Sequence, residues 1–397
     1  MYRIIYCLIL LAIAMPTPAP GKEGPLPPKD EFTFAVLGDS QFHRPGAFNR
    51  VVDEVALLNP AFVIQVGDLI SGYVETEDEF RAQWKRFKGQ ISGLGDIPYY
   101  PVSGNHDIMD KDREPGGVDV YRKIWGDLYY SFDYRNSHFT ILATDIGDYR
   151  REIGGDQLKW LESDLKRARR KSHRFVFFHR PIHSLKNGDE LHELFVKHKV
   201  TAVFYGHQHH YHHYVRDGIT YVMTMAATRL GTPFDEAGSF HHYLLATVRD
   251  TAFSYVAVRK GGIVPPGMVA PEDNKGLYGI NRRLLRTRSV SYDSLKTVED
   301  GKSVSIALRN PTDQELHVYL EWDLPTLRWE IGPERGRLVT LPAQTPEHLT
   351  EFVVRYTGKG SPEAYPVCEI QTLYLTHDGD WITTEKTFTI RAAEEKR

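Results

Sequence analysis

Apolar residues run almost unbroken through FTFAVLG, AFVIQVG, IPYYPVSG, RFVFFH and TAVFYG. Runs of that length, rich in β-branched and aromatic residues, predict strands covered on both faces. Between them, GAFNRVVDEVALL, TEDEFRAQWKRFKGQI, GDQLKWLESDLKRARR and DELHELFVKHK place apolar residues three and four apart, which predicts amphipathic helices. Two pairs of runs interrupt the alternation as hairpins. One joins LYYSFDY to HFTILATD around Arg135-Asn136-Ser137, and the other is HHYVRDGITYVMTMA around Asp217-Gly218. Residues 31–263 are therefore expected to be an α/β domain, with mixed sheets packed against helices.

After Val264 the pattern changes. VPPGMVAPEDNKGLYG and the basic INRRLLRTRS read as a linker over residues 264–288. From 289 to 397 no helix is predicted. SVSIALRN, ELHVYLEWD, TEFVVRYTG, CEIQTLYLTHDG and WITTEKTFTIR alternate apolar and polar residues between turn signals, as in an all-β, Ig- or fibronectin-like sandwich. At the other end, Arg3 precedes an apolar run from Ile4 to Ala14 that closes on Ala12-Ile13-Ala14. This is a signal-peptide pattern within residues 1–21. The run is shorter than the ~20 residues that span a bilayer, so stable membrane insertion is not expected. Residues 22–30 read as a Pro-rich spacer. Export to a periplasmic or extracellular space is the expectation. Cys7 would leave with the signal, and Cys368 would stand alone without a disulfide.

Composition adds little until the histidines are considered. With 41% hydrophobic and 25% charged residues the chain is ordinary globular material, and its net charge of −3 favours neither nucleic acid nor an anionic membrane. Of its 18 histidines, however, ten fall between His173 and His213. Mapped onto the expected strands, the polar residues fall at strand ends. VLGD ends in Asp39, IQVGD in Asp68, and VSGNHD in Asn105, His106 and Asp107. FVFFHRP ends in His179, and VFYGHQH in His207 and His209. Ligands of open α/β sheets bind beyond the carboxyl ends of strands. Gly-Asp alone is a common turn, but five strand ends carrying carboxylates, an amide and imidazoles suit hydrolysis at two metal ions sharing a bridging carboxylate. The donor types favour Mn, Fe or Zn over Ca.

The ordered series Gly38-Asp39, Gly67-Asp68, Gly104-Asn105-His106-Asp107, His179 and Gly206-His207-Gln208-His209 resembles the calcineurin-like metallophosphoesterase family over about residues 31–260. The resemblance implies two mixed β-sheets flanked by helices, two divalent or trivalent metal ions, and hydrolysis of phosphate mono- or diesters by metal-bound hydroxide. It implies that Asp39 and His209 hold one metal, that Asp68 bridges, and that Asn105, His179 and His207 hold the other. His106 would contact the phosphate and serve as the acid, with Asp107 beside it. Two positions depart from common members. Gln41 stands where a ligand histidine is often found, and a Gln carbonyl is a weaker donor. Ser71 stands where some protein phosphatases place an Asp that orients the catalytic His. His43, Arg180 and Arg229 are candidates for substrate contact, Arg180 because a guanidinium forks onto phosphate. His241 and His242 are further candidates for the cleft wall, and His210, His212 and His213 read as strand-edge residues beyond the site. Trp322, Trp329 and Trp381 are candidates for glycan or protein contact by the sandwich, against the commoner use of Trp in a core.

Overall fold

Phe32, Phe34 and Val36 point to one side of the first strand and Ala35 and Leu37 to the other, and both sides are buried. That is why this run lacks polar alternation. The chain is described here by a computed structural model covering residues 30–108 and 117–392. The expected signal peptide and nearly all of the spacer lie outside the described residues.

The order begins β1 (Glu31–Leu37), α1 (Pro45–Leu58), β2 (Val63–Gln65), α2 (Glu77–Ile91), β3 (Tyr99–Pro101), α3 (Asn105–Ile108) and α4 (Gly117–Trp125). It continues with β4 (Tyr130–Tyr134), β5 (Ser137–Ile141), β6 (Asp145–Ile146), β7 (Tyr149–Arg150), α5 (Gly155–Arg167), β8 (His173–Phe177) and α6 (Gly188–Lys197). Next come β9 (Ala202–Tyr205), β10 (His212–Arg216), β11 (Ile219–Met223), β12 (His242–Arg249), β13 (Ala252–Arg259), β14 (Gly262–Val264) and α7 (Pro271–Arg283).

Two mixed six-stranded sheets result. The first has the order β14-β13-β12-β1-β2-β3, with β1, β2 and β3 parallel and the other pairings antiparallel. The second has the order β10-β11-β9-β8-β5-β4, with β5, β8, β9 and β11 parallel. Their facing sides share an aromatic core. Phe34 stacks on Phe62 at 5.4 Å and meets Phe139 edge-on at 5.3 Å, while Phe177 stacks on Phe204 at 5.0 Å. Such pairs contribute about 0.5–1.5 kcal/mol beyond their buried area. Helices α1 and α2 cover the outer face of the first sheet through Phe48, Val52, Trp84 and Phe87. Helices α5 and α6 cover the second through Leu161, Leu165, Leu191 and Phe195. Both expected hairpins form, as β4–β5 and β10–β11. The long β12–β13 hairpin had no counterpart among the expected elements.

The C-terminal strands make two further sheets, of five and four strands, packed around Trp322, Phe352, Val354, Ile370 and Phe388. Trp322 and Trp329 are buried in that core, so neither presents a platform to a glycan; Trp381 is exposed.

Residues 264–288, expected as an irregular linker, hold α7. Pro271 fits its first turn, Glu272 and Asp273 lie at its positive end, and Arg282 and Arg283 lie in its last turn. Leu277, Ile280 and Leu284 share the face that packs into the sandwich core. Gly276 and Gly279 hid the helix because glycine costs about 1 kcal/mol in a helix interior. Gly276 is required by packing: a Cβ there would lie 2.5 Å from the Tyr374 hydroxyl, itself held by Asp273. Replacing Gly276 with Val should therefore lower stability by about 1–3 kcal/mol through overpacking. An unchanged urea midpoint would show that α7 does not press on Tyr374.

Candidate metal centre

Parallel strands of the two sheets present their carboxyl ends to one cleft. Asp39 comes after β1, Asp68 after β2, Asn105 and His106 after β3, His179 after β8, and His207 and His209 after β9. Within it, one ligand atom each from Asp68, His179 and His207 lies within 4.8 Å of the others, and the same holds for Asp39, Asp68 and His209. Asp68 belongs to both groups.

Hydrogen bonds fix these side chains. His179 donates from Nδ1 to the Val66 carbonyl at 2.9 Å, which turns Nε2 toward Asp68 Oδ1 at 3.1 Å. A carbonyl placed behind the ring in this way is what orients metal-binding imidazoles. His207 Nδ1 lies 3.2 Å from His179 Nε2, and His209 Nε2 lies 3.3 Å from Asp39 Oδ2. Asn105 donates its amide to the Tyr73 hydroxyl at 3.0 Å, while its buried Oδ1 has no hydrogen-bond partner among the described residues. An orphaned buried oxygen on the residue before His106, whose own amide bonds Asp68, fits a cation. The donor set therefore fits two metal ions.

Burial alone would raise the pKa of Asp68, but His179 and His106 reverse this and hold the carboxyl below its usual range. Burial also opposes protonation of His179, yet the Asp68 charge prevails and lifts its pKa to about 9. His207, buried beside His179 and Arg180, is pushed down to about 3. His209 is raised, because its bond to Asp39 outweighs burial.

His106 finds its orienting group at Ser71, through the main chain. Its Nδ1 donates to the Ser71 carbonyl at 2.5 Å, its amide donates to Asp68 Oδ1 at 3.0 Å, and its Nε2 stands 3.8 Å from Asp68 Oδ2. Gly72 makes this possible, with φ of +55° and no room for a Cβ against the His106 carbonyl. Tyr73 then meets the His106 ring edge-on at 4.6 Å. One tyrosine thus positions both Asn105 and His106, and only the preceding glycine signalled it in the sequence.

Three expected roles change. Gln41 is buried, but its amide donates to Asp68 Oδ2 at 2.7 Å and its Oε1 accepts from Thr228 at 3.0 Å. It holds the shared carboxylate here and presents no carbonyl to a metal. Asp107 does not reach the cleft. Its oxygens accept from the amides of Leu69, Ile70 and Gly104, which clamps the two loops together. Burial and the Asp68 charge push its pKa up against the pull of those amides. Arg180 is already engaged by protein groups: Asp145 holds its Nε at 2.8 Å, and its Nη1 lies 2.8 Å from His207 Nε2. For Nδ1 of His207 to take a metal its Nε2 must carry the proton, so this guanidinium must shift aside.

His43 stays at the exposed mouth, bonded to Thr228 Oγ1 at 3.1 Å, with Arg229 exposed nearby. His241 is tied to the Thr228 carbonyl at 2.9 Å, and His242 is buried against Thr224. Thr228, invisible as a signal in the sequence, links Gln41, His43 and His241. Several cleft residues have left-handed backbones: Gln41 at φ +43°, Asp68 at +51°, His207 at +77° and His209 at +59°. Non-glycine residues adopt this region at a cost of about 1–3 kcal/mol each.

This geometry has two measurable outcomes. Tyr73→Phe should weaken metal affinity about 10–100-fold by freeing Asn105, the effect typical of losing a group that orients a metal ligand; unchanged titration with Mn²⁺ would remove Tyr73 from this role. Because His179 is protonated below about pH 9 without metal, a metal must displace its proton. Affinity should therefore climb as pH rises toward 9, with proton release visible by calorimetry in buffers of different ionisation enthalpy. Uptake with no proton release would contradict the His179 assignment.

Known proteins resemble this chain over the part that holds the cleft residues from Asp39 to His209. Residues 32–211 match the calcineurin-like phosphoesterase family. The probable inactive purple acid phosphatase 27 of Arabidopsis thaliana is 25% identical over 238 residues, covering 48% of this chain and 37% of its own length. Serine/threonine-protein phosphatase CPPED1 of Bos taurus is 30% identical over 132 residues, covering 29% of this chain and 42% of its own. The chain thus spans less than half the length of these two relatives. A dimetal phosphatase from Danio rerio overlays with a TM-score of 0.47 at 15% identity, covering 59% of this chain and 98% of that one. Over residues 32–211 the chain carries a domain of the calcineurin-like phosphoesterase family.

Proposed function

We propose that this protein is an exported, metal-dependent phosphoesterase. The observation that carries the reading is the pair of ligand groups sharing Asp68, with the buried Oδ1 of Asn105, unpartnered among the described residues, on the loop that bonds Asp68. Asp39 and His209 would hold one ion, Asn105, His179 and His207 the other, and Asp68 both. Bound there, two such ions supply Lewis acidity toward the phosphate and make water nucleophilic near neutral pH. The chain supplies the rest. His106, fixed by the Ser71 carbonyl, faces the cleft with Nε2 and holds the proton that the leaving oxygen needs. His43 and Arg229 at the mouth meet the outer part of the ester. The N-terminal pattern of Arg3 and the apolar run to Ala14 supports export. No helix among the described residues is long and apolar enough to cross a membrane.

One observation favours a second reading, a metal- or ligand-binding protein with a weak site. Gln41 occupies an oxygen of the very carboxylate that would bridge the metals. Metal analysis separates the two: fewer than one ion per chain, with no turnover, would favour binding.

With Mn²⁺, the purified protein should hydrolyse p-nitrophenyl phosphate. His106→Ala should lower kcat by about 10²–10⁴-fold, the range for a lost general acid, while metal content stays unchanged. Undiminished turnover in that variant would remove His106 from the chemistry.

A further inference from the structure

A cavity of about 960 Å³ opens between α7 and the segment after β9. One wall is formed by His183, Gln208, His210 and His212. The opposite wall is α7, with Lys275, Tyr278, Arg282 and Arg283. Gln208 sits between the two ligand candidates His207 and His209 in the chain, and His210 of the same wall lies close enough to His209 and Asp39 to feel their charges, so the cavity neighbours the metal cleft.

Its lining is built to receive something. His212 is only 5% exposed, and its Nε2 has no hydrogen-bond partner among the described residues. The Nδ1 of the same ring is occupied, 3.2 Å from His210 Nε2. A buried polar atom left open in this way calls for a partner from outside the chain. Tyr278 offers a flat surface, its ring 5.5 Å from that of His210, with the Arg282 guanidinium 5.2 Å from the Tyr278 centroid. Among the charged lining residues, Lys275, Arg282 and Arg283 face Glu272 alone, so the cavity is net positive. Imidazoles and an aromatic platform suit a ring with hydrogen-bonding edges, and the cations suit a negative group upon it.

We infer that this cavity holds the organic portion of the substrate, an aromatic ring bearing a second anionic group, while the ester phosphate lies in the metal cleft. The inference rests on the phosphoesterase reading. Sandwich and catalytic domain then recognise one molecule together, because α7 packs its apolar face into the sandwich core and gives its polar face to the cavity.

Non-hydrolysable probes test it on the full-length, metal-loaded protein. Benzylphosphonate is compared by calorimetry with two analogues, one bearing a para-carboxylate and one a para-carboxyethyl arm. At least one should bind about tenfold more tightly than the parent, as expected for a charge-assisted contact. In the double variant Lys275→Gln, Arg282→Gln the advantage should disappear, while benzylphosphonate affinity and metal content stay the same. Equal binding of all three probes, or an advantage that survives the double variant, would overturn the inference and leave the phosphoesterase reading intact. Failure of benzylphosphonate itself to bind, with no turnover, would defeat both.

Discussion

A carboxylate buried to 1% exposure stays ionised only when donors surround it, and Asp68 organises the site through that demand. Its oxygens take the Gln41 amide, the His106 backbone N–H and the His179 imidazole. These come from the ends of three different strands, and His179 comes from the opposite sheet. One side chain therefore ties the two sheets together at the point where their aromatic core gives way to the cleft. Metal ions of opposite charge would satisfy the same demand more completely, which is why a site of this composition is arranged for them.

The loops around Asp68 reinforce one another. Ser71 holds the Gln41 carbonyl through its hydroxyl and the His106 ring through its own carbonyl. Asp107 locks the Asp68 loop to the Gly104 turn from below. Tyr73 closes over His106 and directs Asn105. The acid and the ligands are thus set by the same few hydrogen bonds, so the geometry of one cannot drift without the other.

The strand ends were legible because two periodic signals coincide there. Runs such as AFVIQVG can only be strands buried on both faces, and the residues just beyond them must lie at the sheet edge where the helices leave it. Asp39, Asp68, Asn105, His179, His207 and His209 could be placed on that logic; the structure groups the two carboxylates with the three imidazoles and puts Asn105 next to His106, whose amide bonds Asp68. The features that escaped were set by contacts distant in sequence. Thr228 reaches Gln41 across 187 positions, and no local pattern marks it. Helix α7 escaped because its glycines, needed against Tyr374, erase its propensity signal. Asp107 and Arg180 had the residue types of a site but serve as supports, a distinction that residue type alone does not carry.

The left-handed backbones at Gln41, Asp68, His207 and His209 set this cleft at odds with the stability of its own chain. At each of these positions glycine would relieve local strain, and at none would it keep the chemistry. Selection for heat resistance alone would therefore erode the cleft first, since its residues are the ones the fold would most readily give up. Carboxylate, amide and imidazole side chains on such a backbone load the strain onto positions where the local conformation by itself prefers no side chain at all.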